Sequence, residues 1–116
     1  MTGESFIPLR NVELDVLLSI SEKPKHGYAI LKDAEQRMGR HPGFEIPTLY
    51  RALRRMRDIG LIRSLASRAG EEKDARRQYW QATALGREAL AAEITRLERV
   101  VAEGSASIAR VAGDSA

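Results

Sequence analysis

The chain contains no cysteine, and this absence removes several classes of function at once. Without thiols there is no disulfide, no thiolate metal site and no cysteine nucleophile. The only histidines, His26 and His41, stand in different local contexts, and no glycine-rich phosphate loop accompanies them. We therefore expect no enzymatic activity, no metal site and no cofactor.

Long hydrophobic runs are also lacking. No stretch of about 18 apolar residues occurs, and the first residues do not have the pattern of a signal peptide. We therefore expect a cytoplasmic protein with no membrane partner. The 116 residues fit one domain with an appended element, at a size where an additional interface would add noticeably to stability.

The positive charge of the chain is concentrated in its middle. Residues 21–80 hold 14 lysines and arginines against 8 acidic residues, whereas the remaining positions together are acidic. The formal net charge of the whole chain is +3. A basic centre of this kind is typical of a surface that binds nucleic acid.

The stretch 45–60 predicts a short helix with two unlike faces. Pro47 suits the first helical turn, and Gly60 suits the end of the helix. On a helical wheel the apolar side would dock on a core through Leu49, Ala52, Leu53, Met56 and Ile59. The opposite side carries Pro47, Tyr50, Arg51, Arg54 and Asp58, with Thr48, Arg55 and Arg57 on its flanks. A helix of about 20 Å with an arginine face fits a DNA major groove, although a face that is merely solvated has the same composition.

Two further helices are expected before this one, over residues 11–21 and 27–38, and residues 1–8 are expected to form a loose arm. Asn11 is the predicted N-cap of the first helix. In the second helix Ile30, Leu31, Ala34 and Met38 share one face, with Tyr28 at its edge. Phe44 and Ile46 are expected in the core. Three short helices with arginines on the third suit a helix-turn-helix, and they also suit any three-helix bundle.

Two short runs after the third helix predict a β-hairpin. Residues 61–66 and 77–82 contain aliphatic and aromatic residues, and the segment between them is polar and contains Gly70. A hairpin after a three-helix unit forms a wing, from which basic residues could reach DNA: Arg68, Lys73, Arg76 and Arg77. The alternative is that a charged hairpin tip only keeps the protein soluble.

A long helix follows the hairpin. Thr83 is its predicted N-cap, and the helical pattern runs from 84 to about 103. Four apolar residues recur at spacings of four and three, which is typical of a heptad seam: Leu90, Ile94, Leu97 and Val101. Such a helix folds back on its own core or pairs with another chain. The charges that flank the seam favour a homodimer: Glu93, Arg96, Glu98 and Arg99.

Five short motifs, in this order, resemble the PadR family of bacterial transcriptional regulators. They are His26-Gly27-Tyr28, the run from Thr48 to Met56, Gly60-Leu61-Ile62, the run from Arg77 to Trp80, and the run from Thr83 to Arg87. The resemblance spans roughly residues 9–103. Pro47, Trp80 and Ala82 depart from the residues that are common in the family, namely a small residue, a tyrosine and a leucine.

The resemblance implies a fold class that is mainly α with a small β-hairpin wing. Residues 9–82 would form a winged helix-turn-helix, residues 83–103 a dimerisation helix, and residues 104–116 a flexible or partly helical tail. It further implies a homodimer that binds inverted repeats in double-stranded DNA, usually as a repressor, and that often releases DNA when a small molecule binds. The single C-terminal helix resembles the short branch of the family, in which a ligand would bind at the dimer interface.

Specific roles follow for the basic residues if the protein binds DNA. Arg51 and Arg54 are the candidates for guanine contacts, because a guanidinium can donate two hydrogen bonds to O6 and N7. The candidates for phosphate contacts are Lys25, His26, Tyr28, Thr48, Tyr50 and Arg55. From the wing, Arg76 and Arg77 could reach a phosphate or a minor groove. For Tyr28 a place in the core is an equal alternative. A winged-helix module that binds protein instead of DNA is the alternative function.

Trp80 also has two interpretations. A tryptophan in a small domain usually lies in the core or in an interface. It could instead border a pocket between subunits and form an aromatic wall for a small aromatic effector.

Overall fold

The computed structural model describes residues 2–65 and 78–114, which form four α-helices and a three-stranded antiparallel sheet. The helices are α1 (Asn11–Ile20), α2 (Gly27–Met38), α3 (Ile46–Asp58) and α4 (Ala84–Asp114). The strands are β1 (Lys25–His26), β2 (Ile62–Leu65) and β3 (Tyr79–Ala82). The expected fold class, three helices followed by a small wing and a long helix, is therefore confirmed.

The core lies where α1, α2 and α3 pack against each other and against the sheet. Each of these elements contributes an apolar stripe with helical or strand spacing, including Val16 and Leu17 of α1, Ile30 of α2, Leu53 of α3 and Ile62 of β2. The expected stripe of α3 is confirmed for Leu49, Ala52, Leu53 and Met56, all of which are buried. Phe44 is buried as expected.

Two apolar residues are exposed, one that was expected in the core and one that was expected on the apolar face of α2. Ile46 is 54% exposed and Met38 is 48% exposed. Both have the helical spacing of their buried neighbours, but Ile46 is the first residue of α3 and Met38 is the last residue of α2. Helical spacing predicts the side of a helix on which a residue lies, and it does not show where the neighbouring layer ends.

The wing forms the expected hairpin and contains an additional strand. β2 and β3 pair antiparallel, with Ile62 opposite Ala82 and Leu65 opposite Tyr79. β1 pairs with the other edge of β3 and connects the start of α2 to the sheet. Two residues are too short a segment to show strand alternation, which explains why β1 is not visible in the sequence pattern. The expected hairpin tip lies within residues 66–77, outside the described residues.

The expectation of a loose N-terminal arm is wrong. Gly3–Phe6 form a 3₁₀ helix that packs against α4, and a Cβ atom on Gly3 would lie 2.4 Å from the backbone carbon of Glu88. The backbone N–H of Leu9 donates to Glu93 Oε2 at 2.7 Å, and Arg96 Nε donates to Glu93 Oε1 at 2.5 Å. The N-terminal segment is therefore an integral part of the body of the protein.

These contacts also explain the ionisation of Glu93, which is 1% exposed. The hydrogen bond from Arg96 lowers the pKa of the carboxyl group, and the N–H of Leu9 lowers it further, against the opposing effect of burial. The carboxylate is thus retained as the charged acceptor that joins the N-terminal segment to α4. The expectation that Glu93 is an exposed charge beside the seam of α4 is wrong.

Thr83 caps α4 as expected. Its hydroxyl accepts from the Gly86 N–H at 3.0 Å and donates to the carbonyl oxygen of Gly60 at 2.6 Å. Gly86 allows α4 to approach the turn after α3 closely, because a Cβ atom there would lie 2.0 Å from the carbonyl oxygen of Leu61. The start of α4 is consequently fixed to the end of α3.

The expected end of α4 near residue 103 is wrong, because the helix continues through Gly104 to Asp114. A single glycine costs a helix about 1 kcal/mol relative to alanine, and neighbouring helix formers such as Ala106, Ala109 and Arg110 can offset that cost. None of the helices in the described ranges is long and apolar enough to cross a membrane.

We predict that Gly86→Ala destabilises the fold by about 1–3 kcal/mol or more, because the added methyl group would overlap the backbone of Leu61. Chemical denaturation measured by circular dichroism would show the loss. Gly113→Ala is the matched control, since Gly113 is also helical and has no atom within 4 Å of the added Cβ. Equal stability of the Gly86 and Gly113 variants would contradict the close approach of α4 to this turn.

Candidate nucleic-acid interface

The outward face of α3 is fixed by the burial of its opposite face. Leu53 and Met56 are fully buried, whereas Arg51, Arg54 and Asp58 are exposed. Pro47 lies in the first turn, where a missing N–H costs nothing, and Gly60 follows the helix with a φ of +88°. α3 therefore presents its arginine side to solvent, as the sequence predicts.

The two central arginines of this face are available for a partner. Arg54 makes no hydrogen bond or ion pair with any residue of the described ranges. Arg51 Nη2 donates one hydrogen bond, to Thr48 Oγ1, at 3.3 Å. That bond is long and exposed, so it orients the guanidinium of Arg51 without occupying most of its donors.

The start of α2 lies beside α3 and is capped by a histidine. His26 Nδ1 accepts from the Ala29 N–H at 3.2 Å, which in a neutral ring leaves the proton on Nε2. The ring of Tyr79 in β3 lies edge-on to the imidazole, with centroids 5.7 Å apart. His26 therefore ties the start of α2 to the wing strand and keeps one ring N–H as a donor.

Tyr50 and Gly27 bring α3 and the start of α2 into direct contact. A Cβ atom on Gly27 would lie 2.8 Å from the Tyr50 hydroxyl oxygen, so glycine lets the tyrosine ring pack over the first residue of α2. Tyr28, the next residue, is 59% exposed, which shows that it lies outside the core. Lys32 Nζ stands 5.2 Å from the Tyr28 ring centroid. The resulting surface combines aromatic rings, a helix N-terminus and arginines.

A sequence profile of the transcriptional regulator PadR-like family matches residues 16–92. The chain belongs to the PadR-like family. No curated protein matches the chain. The matched residues include β1, α2, α3, both wing strands and the first part of α4, so the family match covers the whole of the surface described above.

Solved structures with the same fold include other PadR-family regulators. A regulator from Eggerthella lenta is 28% identical with a TM-score of 0.63, and the alignment covers 84% of this chain and 80% of that one. A regulator from Clostridium difficile is 26% identical with a TM-score of 0.62, over 85% and 98% of the two chains. Bacillus subtilis PadR, solved in complex with operator DNA, has the same fold at 18% identity, with a TM-score of 0.60 over 71% of this chain and 45% of that one.

In this PadR-like chain Arg55 stands apart from the other arginines of α3. Its Nη1 donates to Glu13 Oε2, while Glu13 Oε1 accepts from the Arg10 N–H at 2.8 Å. Glu13 is 5% exposed, so this carboxylate is a buried group whose charged partner is supplied by α3. The geometry places Arg55 in the contact between α1 and α3, and its expected phosphate contact stays a prediction.

Lys25 is likewise engaged within the fold. Its ammonium pairs with Asp33 of α2, at a site that is only partly exposed. Partial burial would raise the pKa of the Asp33 carboxyl group, but hydrogen bonds from Lys25 and Ser19 and the charge of Arg37 hold it below its usual value. Lys25 would have to leave this partner to bind a phosphate.

The remaining site predictions concern Trp80 and the wing. Trp80 is 4% exposed and belongs to the core, which agrees with the first of its two interpretations and leaves an effector contact untested. Arg76 and Arg77, the wing candidates for DNA contacts, lie outside the described residues, as do Arg68 and Lys73.

The predicted seam of α4 divides between the core and the surface. Leu90 packs against the core of its own chain, whereas Ile94 and Val101 are 38% and 65% exposed and Leu97 is half-buried. Every residue from Glu98 to Asp114 is exposed. The second half of α4 therefore extends away from the body with apolar residues such as Val101 and Ile108 in solvent.

We predict that Arg55→Ala lowers the free energy of unfolding by about 1–3 kcal/mol, because Glu13 would keep its buried charge without its partner. Arg54→Ala, one position earlier, is the matched control and should change stability by no more than about 0.5 kcal/mol. Urea denaturation of the two variants measures the difference. If both variants were as stable as the wild type, the ion pair would have no structural role.

Proposed function

We propose that this chain is a sequence-specific DNA-binding transcriptional regulator. The observation that carries the proposal is the exposed arginine face of α3. Among the described residues, Arg54 has no hydrogen-bond or ion-pair partner and Arg51 has one long hydrogen bond, to Thr48. This face lies beside the N-terminus of α2 in a fold of the PadR-like family. The Bacillus subtilis structure supports the proposal, since a protein with this fold is bound there to operator DNA.

Each side chain of the interface has a distinct task in this proposal. α3 enters the major groove, where Arg51 and Arg54 donate to guanine O6 and N7. Thr48 and Tyr50 contact phosphates and position the helix without reading sequence. The start of α2 offers the Nε2–H of His26 and a positive dipole end to a neighbouring phosphate.

The regulator acts as a homodimer in this proposal, assembled through α4. An isolated helical half with two glycines is marginal in water, so the exposed residues from 98 onwards need a partner surface to remain helical. In a second copy of the chain, the seam residues Ile94, Leu97 and Val101 provide this partner surface. Two α3 helices related by a two-fold axis would read half-sites about 34 Å apart, which implies an inverted repeat.

Repression is the direction of regulation that we propose. A dimer that occupies two successive turns of the duplex excludes other proteins from the same DNA. Release by a small molecule would then require a site at the dimer interface that favours a different separation of the two α3 helices. Because Trp80 is buried within one chain, an effector would reach it only through a rearrangement of the surrounding side chains.

We predict that Arg54→Ala weakens binding to an operator selected from random duplexes with the full chain by about 1–3 kcal/mol. The Arg51→Ala, Arg54→Ala double variant should weaken this binding further. Fluorescence anisotropy with the operator and with a scrambled duplex would measure this loss. Arg63→Ala is the matched control, because Arg63 is an exposed arginine on β2 that donates to Gln81.

The salt dependence of the same binding curves separates DNA recognition from a protein-binding module. Several phosphate contacts make the logarithm of the affinity fall steeply with the logarithm of the salt concentration. An unchanged operator affinity in the double variant would show that α3 does not read the groove. A protein-binding module would show a weaker salt dependence and no preference for duplex DNA.

We predict that Val101→Asp converts the dimer into a monomer without unfolding the chain, since Val101 is 65% exposed in a single copy. Light scattering coupled to size exclusion would give the mass, and operator affinity should fall because one α3 helix binds alone. Ala106→Asp is the matched control, since it adds the same charge on the far side of α4. A Val101→Asp protein that keeps the mass and affinity of the wild type would place the dimer interface elsewhere.

A further inference from the structure

Ile46 is a large apolar side chain at the tip of the proposed recognition helix. It is the first residue of α3, it is 54% exposed, and it belongs neither to the core nor to the partly buried residues that pack on it. Phe44, two residues earlier, supplies the buried aromatic group at this end of the helix. The core therefore does not account for an isoleucine at position 46.

The backbone of α3 directs this side chain beyond the end of the helix. In an α-helix every Cα–Cβ bond tilts towards the N-terminus, so the side chain of the first residue projects ahead of the first turn. Pro47, which is also exposed, follows directly and leaves the tip without a backbone N–H at that position. At the tip of α3 two exposed apolar side chains, Ile46 and Pro47, therefore lie next to the exposed N-cap residue Glu45, in contrast to the arginine face behind them.

An apolar tip has a specific counterpart in the major groove. Recognition helices of this fold contact base edges with their N-terminal residues. The C5-methyl group of thymine is the apolar group that a base pair presents in that groove, and apolar side chains contact it. Because it rests on the proposed function, the following assignment holds only if α3 enters a major groove.

We propose that Ile46 is a specificity-determining residue that contacts the C5-methyl group of a thymine in each operator half-site. The contact removes the isoleucine side chain and the methyl group from water together. Arg51 follows Ile46 by five positions, which is about 7.5 Å along the helix. With base pairs stacked about 3.4 Å apart, the thymine lies about two base pairs from the guanine that Arg51 reads.

The test replaces thymines by deoxyuridine, which removes the C5-methyl group and leaves base pairing intact. The operator is first selected from random duplexes with the full chain. Each thymine of one half-site is then replaced in turn, and the Kd is measured at one salt concentration for the wild type, Ile46→Ala and Ile46→Val. Met38→Ala is the control variant, since Met38 is an equally exposed apolar residue at the far end of α2.

For the wild type we expect one thymine whose replacement raises Kd about fourfold, the value of one buried methyl group. The same replacement should leave the Kd of Ile46→Ala nearly unchanged, while Ile46→Val and Met38→Ala should keep the sensitivity of the wild type. Such non-additivity assigns the methyl contact to Ile46 and not to a general change in DNA shape.

Two results would overturn the assignment. If every replacement has the same effect in the wild type and in Ile46→Ala, or if no thymine matters while the operator is still bound, Ile46 does not read a methyl group. If the wild type binds no duplex at all, the proposed function fails together with this assignment. Circular dichroism of Ile46→Ala checks that the variant is folded.

Discussion

The packing of the apolar stripe of α3 against α1 and α2 determines which side chains of α3 face solvent and can contact DNA. Leu49, Leu53 and Met56 are buried in that contact, so the arginines on the opposite side must face solvent. Apolar stripes allow a helix to slide or rotate slightly, because their contacts are not directional. The ion pair between Arg55 and the buried Glu13 is directional, and it fixes α3 relative to α1.

The rest of the chain connects this rigid unit to α4. Thr83 and Gly86 hold the start of α4 on the turn that follows α3, and Glu93 holds the N-terminal segment against the same helix. The direction in which α4 leaves the body is therefore tied to the direction of α3. In a dimer formed through α4, these contacts would set the separation of the two arginine faces, and with it the spacing of the half-sites.

Local sequence patterns were sufficient for most of the fold. The apolar spacing in α2 and α3, the turn at Gly60 and the cap at Thr83 are signals within a few residues, and the structure confirms them. The features that sequence reasoning missed depend on partners far along the chain. Glu93 and Leu9 are separated by 84 positions, and Arg55 and Glu13 by 42. No periodicity reveals which charged residue will be buried by such a partner.

The candidate interface shows the same division. The arginine face of α3 is evident from a helical wheel, whereas the engagement of Arg55 and Lys25 within the fold is visible only in three dimensions. Ile46 was also expected in the core, as an apolar residue of the loop that precedes α3. The neighbouring layer ends before the first residue of α3, so this isoleucine became the apolar tip of the helix.

The most direct test of whether the arginine face of α3 reads DNA is a map of backbone amide chemical shifts. The shifts are recorded in solution as the operator duplex is added to the isotope-labelled protein. We expect one set of shifted signals per subunit, concentrated on Ile46, Thr48, Arg51 and Arg54 of α3 and on the first turn of α2. Shifts confined to α4, or spread evenly over the surface, would contradict the assignment of the arginine face of α3 as the surface that reads DNA.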